Sequence, residues 1–153
     1  SLAFVVLGAM AAVSAHAADL KSPDKVKEAL RILAYVQADM ASKLPNKAYA
    51  RLPHENEEFQ DAAPALRDAI AGEPAEFKAK VEAQLKRAQG AAAEVANISR
   101  SNDDGRIAAA VANVDSVLKT LDAMFPESLR PVPGQLGSGP GGRGQGGPPK
   151  DLR

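Results

Sequence analysis

In 153 residues the chain balances 19 Lys and Arg against 19 Asp and Glu, with no Cys, no Trp, four Phe and two Tyr. The lack of Cys excludes disulfides, lipid attachment through cysteine, c-type haem attachment and thiolate metal sites. The even spread of both charge signs leaves no basic face for nucleic acid. Abundant alanine with few aromatics suits closely packed helices better than a sheet.

The opening stretch SLAFVVLGAMAAVSAHAADL runs apolar from Leu2 to Val13 and ends in Ala15-His16-Ala17, the small-x-small pattern that signal peptidase reads. It is too short for a membrane span. Residues 1–17 are therefore expected to be a signal peptide, truncated at its start, with Ala18 as the mature N-terminus. A buried N-terminal helix is the alternative. An exported chain without disulfides and rich in alanine fits the bacterial periplasm, with no stable membrane span after cleavage.

Ser22-Pro23-Asp24 reads as a helix start, with Ser22 able to cap, Pro23 suited to the first helical position and Asp24 facing the positive end of the dipole. Val26, Ala29, Leu30, Leu33, Val36, Met40 and Leu44 then recur at three- and four-residue steps until Pro45. A loop carrying Asn46 and Tyr49 leads to Pro53. The second pattern is Phe59, Ala62, Leu66, Ala69 and Ile70, ended by Gly72, and Pro64 inside it predicts a kink or a restart.

Glu73-Pro74 opens the third helix, whose stripe is Phe77, Val81, Leu85, Ala88, Ala92, Val95 and Ile98. Glu76 with Lys80 and Glu82 with Lys86 are favourable i,i+4 pairs on a solvated face. Gly90, followed by three alanines, either admits a neighbouring helix closely or merely weakens its own helix by about 1 kcal/mol. Ser101-x-x-Asp104 resembles a capping box, and Ile107, Val111, Val114, Leu118, Leu121 and Phe125 form the fourth stripe before Pro126.

These elements predict an all-α, antiparallel up-down-up-down four-helix bundle over residues 18–130. From Pro131 onward 13 of 23 residues are Gly or Pro. Residues 131–153 are therefore expected to be a disordered tail, unable to bury enough surface to offset their ordering entropy. Gly139 to Gly144, GPGGRG, matches G-x-G-x-x-G but has no strand before it and no helix after it, so it is not a dinucleotide site.

Removal of the leader would take His16 with it and leave His54 as the sole imidazole. No G-x-S-x-G, P-loop, EF-hand loop or H-E-x-x-H occurs, which argues against an enzyme. The stretch RLPHENEEF, Arg51 to Phe59, is the one constellation with chemical content. His54 and Glu58, four apart, can share a helix face and offer a nitrogen and an oxygen to a divalent transition metal. Two ligands are half a site, and a third or fourth would come from Asp39, Asp61 or the Asp103/Asp104 pair. The competing reading is structural: Glu55, Glu57 and Glu58 after Pro53 are what a helix N-terminus favours electrostatically. Met40 and Met124 read as gap-fillers rather than copper or haem ligands, and Tyr35 and Tyr49 carry no signal alone.

The leader, the four helices and a mature start of Ala18-Asp19-Leu20 resemble the periplasmic four-helix cytochromes of the b562 and c-prime type over Ala18 to Arg130. The best local echo is LKTLDAMFPESLR, Leu118 to Arg130, where those families place a haem-binding histidine. Here Met124, Phe125 and Pro126 stand in that region, and Asp24 occupies the position comparable to the b-type methionine. The resemblance implies the fold and argues against the haem. The functional expectation is a non-catalytic periplasmic bundle without a cofactor, acting on a protein partner or as a homodimer, with metal handling through His54 and Glu58 as the alternative.

Overall fold

The computed structural model describes residues 19–139. The expected signal peptide, residues 1–17, with the expected mature start at Ala18, and residues 140–153 of the expected tail, with all but the first residue of the GPGGRG motif, lie outside the described residues. Four α-helices account for most of the described chain: α1 (Pro23–Ser42), α2 (Leu52–Ala69), α3 (Ala75–Ser99) and α4 (Asp104–Asp122). Single 3-10 turns follow at Tyr49–Arg51 and Glu127–Leu129. No strand occurs among the described residues, so the fold is all-helical.

Each helix packs on its chain neighbours, and α4 returns against α1, which closes the ring. The apolar stripes explain that order, because each must turn inward to leave water. In α1 the buried set is Val26, Ala29, Leu30, Leu33, Val36 and Met40, and in α4 it is Ile107, Val111, Val114, Leu118 and Leu121. Fully burying a Leu, Val or Phe side chain contributes roughly 1.5–3 kcal/mol, so these faces dominate the stability. Met40 lies wholly inside the core as a filler. Polar stitching crosses the seams between stripes. Arg67 on α2 holds Glu82 of α3 at 2.7 Å and also donates to Gln89, and Gln84 of α3 donates to the carbonyl of Val117 on α4. The pairs Glu76–Lys80 and Glu82–Lys86 form at 3.3 and 3.8 Å as their spacing predicts.

Several local expectations are corrected. Helix α2 is continuous through Pro64 and does not restart there. Pro64 is exposed, so its ring sits on the outer side of the helix, and the proline leaves the carbonyl of Gln60 without its usual N–H partner. The N-cap of α4 is Asp103, which accepts from the Arg106 N–H at 3.0 Å, while Ser101 instead accepts from the Asp103 N–H. The Ser101-x-x-Asp104 box is therefore shifted by two residues. Ser22 precedes α1 without a side-chain cap bond.

Gly90 does not mark a close helix approach: it is exposed, and a Cβ there would meet nothing within 4 Å. Gly90→Ala is accordingly expected to stabilise the protein by about 0.5–1 kcal/mol, read as a higher urea midpoint at unchanged m-value.

The start of the expected disordered tail has a definite place. Residues 131–139 lie back along α1, where Arg31 Nη1 donates to the carbonyls of Leu136 and Ser138. Gly139 sits so close to the Tyr35 ring that a Cβ would come within 2.6 Å of it. Gly137, at φ +69°, makes the turn that aims both carbonyls at the guanidinium. A guanidinium offers five donors in a fixed fork, and backbone carbonyls of a Gly-rich segment are ready acceptors. Arg31→Ala should accelerate amide hydrogen exchange in residues 131–139 while moving global stability by less than about 0.5 kcal/mol.

Candidate functional site

The one metal-capable group of donor side chains among the described residues lies where the end of α1 meets the start of α2. Asp39, Glu55 and Glu58 each bring a carboxylate oxygen to within 4.8 Å of the others. Lys43 places its Nζ 3.0 Å from Asp39 Oδ1 and 3.7 Å from Glu55 Oε1. Ser42 donates to the Asp39 carboxylate at 3.0 Å. Local electrostatics account for part of the arrangement. The N-terminal turns of α2 favour acids, and Lys43, capping α1, neutralises the Asp39 charge at the unfavourable C-terminal end of that helix.

Glu55 is the unusual member. It is 3% exposed, and its Oε2 has no hydrogen-bond partner. Its depth follows from register: Leu52, Glu55, Phe59, Ala63 and Leu66 are the buried positions of α2, so the carboxylate occupies a place in the apolar stripe. Burial drives its pKa up to about 7, reinforced by the neighbouring Asp39 and then Glu58 carboxylates and opposed by Lys43. In its acid form Glu55 donates to Asp39. Desolvation also pushes Asp39 upward, but hydrogen bonds from Lys43, Glu55 and Ser42 outweigh it, and the carboxyl ends below its usual value.

Of the residues expected from the sequence, Glu58 and Asp39 meet here. The His54 side chain is 65% exposed at the rim, with Nε2 3.3 Å from Glu58 Oε1 and Nδ1 3.7 Å from Glu57 Oε2. Asp61 is exposed and outside the group. Asp103 and Asp104 lie at the start of α4, where Asp104 takes Lys47 at 2.8 Å and the Tyr49 hydroxyl at 2.6 Å. Those bonds, from Lys47 first and Tyr49 second, hold the Asp104 carboxyl below its usual pKa and tie the α1–α2 loop to α4. Neither aspartate can serve as the third ligand.

Glu55 is the residue missed by sequence reasoning. Its signal was present in the three- and four-residue steps from Leu52 through Phe59, but a stripe begun at Phe59 conceals it.

An open groove of about 360 Å³ runs between α1 and residues 134–137, lined by Tyr35, Ala38, Asp39, Ser42, Gly134, Leu136 and Gly137. Asp39 is thus reachable from outside. Chemically, the three carboxylates can hold a cation or share a proton, with the Lys43 ammonium as their present counter-ion and the His54 imidazole beside Glu58 at the rim. No family model matches the chain, and neither a curated protein nor a solved structure matches it.

Proposed function

We propose that the chain is an exported, non-catalytic helical-bundle protein, its helices running up-down-up-down, that acts by binding, and that its ligand at the α1–α2 end is a divalent cation. The observation carrying this reading is the buried Glu55 oxygen without a partner inside a three-carboxylate group. Ionised, a buried carboxylate left without a donor costs several kcal/mol; protonation with donation to Asp39 relieves that cost in the metal-free protein, and a bound cation relieves it for the ionised form. The donor chemistry favours a metal that accepts carboxylates with one imidazole, such as manganese or zinc. Asp39, Glu55 and Glu58 are then the ligands in place, and His54, now beside Glu58 at the rim, would join them only by turning inward.

Calorimetric titration of the metal-free protein with zinc and manganese salts tests this. One equivalent of cation should bind, Glu55→Gln and Glu58→Gln should each weaken it at least about tenfold, and His54→Ala should weaken it less. Equal affinity in all four proteins would reject the site. Export rests on the Ala15-His16-Ala17 pattern. The mass of protein recovered from the native periplasm decides it, with a chain beginning at Ala18 as the expected result. No helix among the described residues is long and apolar enough to cross a membrane.

A protein partner is the second reading. It is favoured by a groove of about 410 Å³ between α1 and α2, lined by Ala29, Ile32, Ala65 and Ala69 and edged by Asp24, Lys25, Glu28 and Asp68. Val132 is the one large apolar side chain exposed among the described residues, so an interface elsewhere would be polar and salt-sensitive. Ile32→Glu should abolish a partner that co-purifies through this groove and leave the helical content intact.

A further inference from the structure

We infer that Lys43 is a resident, displaceable counter-ion of the carboxylate group, and that a divalent cation enters by expelling the Lys43 ammonium toward solvent. This rests on the cation-site reading above and adds the way the site is filled and emptied.

The geometry supplies the reasons. Lys43 Nζ already sits among the acids, 3.0 Å from Asp39 and 3.7 Å from Glu55. It satisfies them incompletely: 3.7 Å is longer than a hydrogen bond, and once Glu55 is ionised no donor reaches its Oε2, although the residue is only 3% exposed. One ammonium faces Asp39 and Glu55, with the Glu58 carboxylate beside them, so the group carries more negative charge than its occupant offsets.

A divalent ion fits the space. Three oxygens no more than 4.8 Å apart place a central ion at most about 2.8 Å from each, and a small contraction brings that into the 2.0–2.6 Å range of metal–oxygen bonds. Asp39 and Glu58 are half-buried and can make that adjustment.

The ammonium and a divalent ion cannot share this volume, because like charges at such separations in a partly desolvated site repel strongly. Lys43 can leave. Its side chain is 18% exposed, it stands just beyond the last residue of α1, and its charge ends a flexible four-carbon stem that water can solvate. In the empty state the lysine keeps the acids from repelling one another. In the filled state the metal does so, and Lys43 returns when it leaves. The lysine thus weakens cation binding and favours reversible exchange over permanent retention.

The test is zinc and manganese titration of the full mature chain and of Lys43→Met, Lys43→Gln and Lys47→Met, each first checked for unchanged helical content. Lys47 pairs with Asp104 outside the group, so its loss changes the net charge identically without touching the site. The expected result is tenfold or greater tightening in both Lys43 variants and little change in Lys47→Met. In the wild type, zinc should also raise the acetylation rate of Lys43 relative to the other lysines. If the wild type binds and the Lys43 variants bind no tighter, or Lys47→Met tightens equally, the displacement mechanism is overturned while the cation site stands. If neither wild type nor variants bind either metal, the cation-site reading itself fails and takes this inference with it.

Discussion

Glu55→Gln is expected to stabilise the metal-free protein at neutral and mildly alkaline pH by on the order of 3 kcal/mol and to change it little below about pH 4. A carboxyl whose folded pKa lies above its unfolded value holds its proton more tightly in the folded state. Its contribution is fully present below the unfolded value of 4.5 and is lost as pH rises through the folded value of about 7. Each unit of separation corresponds to about 1.4 kcal/mol, which sets the size of the effect. Glutamine keeps the shape and removes the charge, and its amide can still donate to Asp39 as the acid form does. The difference between the two proteins should therefore open between about pH 4.5 and 7 and stay constant above. Asp122, which burial raises to about 6, destabilises in the same direction as pH rises, but it is common to both proteins and cancels in the difference. The carboxyls of Glu28 and Glu82, held below their usual values by hydrogen bonds from Arg31 and Arg67, act in the opposite sense on acidification and cancel likewise.

Urea midpoints at constant m-value, taken across the pH range with a chelator present, measure this difference. Parallel curves would mean that Glu55 ionises as if in water. Zinc then closes the thermodynamic cycle: at a hundredfold excess over Kd it should add about 2.7 kcal/mol to the wild type and far less to Glu55→Gln. A variant more stable than its parent without metal and less responsive with it is what a residue retained for binding rather than for folding predicts.

The parts of the structure legible in the sequence are those where local pattern and tertiary demand coincide. The stripes of α1, α3 and α4 follow directly from apolar residues at three- and four-residue steps, because a single face must leave water. Helix α2 was harder to read, since Pro53 looks like the end of a loop. A proline in the first turn costs no hydrogen bond, and the helix begins before it, at Leu52. With Leu52 counted as helical, the steps Leu52, Glu55, Phe59, Ala63 and Leu66 become visible as the buried stripe, so Glu55 is both a first-turn acid and a buried one, and Ala63 rather than Ala62 lies at full depth.

Asp39 was one of several candidate ligands, and only the packing of α1 on α2 distinguishes it from Asp61 and Asp104. Nothing in local sequence encodes that meeting. The same holds for Arg31, which pairs locally with Glu28 but whose Nη1 meets carbonyls more than a hundred residues away, those of Leu136 and Ser138. Composition rightly marks residues 131–139 as poor in apolar surface, yet one guanidinium and one aromatic ring suffice to place them. Capping was ambiguous for a different reason. Ser101 and Asp103 are both competent N-caps, and Asp103 prevails where the chain turns through Asn102 at φ +53°, a left-handed conformation that Asn tolerates better than most residues.

Phe125→Ala should be among the most damaging single substitutions in the bundle, costing about 3–5 kcal/mol of unfolding free energy. Phe125 lies just beyond α4 and is 1% exposed, and its ring meets that of Phe77 edge to face at 5.7 Å, with an interplanar angle of 84°. Phe77 begins the buried stripe of α3, so the pair pins the end of α4 to the start of α3 where no covalent connection is near. Truncation removes the transfer energy of a large side chain, the favourable ring geometry and the packing around both, and leaves a cavity that helices fixed at their other ends can only partly fill. The backbone at this point also carries the next segment: Arg130 Nε donates to the carbonyls of Phe125 and Asp122 at 3.0 and 3.1 Å, closing the C-terminal end of α4. The 3-10 turn Glu127–Leu129 packs against α1 directly after it. Phe125→Ala should therefore loosen residues 126–139 beyond the general loss of stability, seen as amide exchange faster there than in α2 at matched global free energy. Phe125→Leu, which keeps an apolar side chain of somewhat smaller volume but not the ring, should recover more than half of the loss, because most of the energy is burial rather than aromatic geometry. Uniform exchange across the chain in the Ala variant would show that the Phe77–Phe125 contact is one core contact among many and does not hold the end of α4 in place.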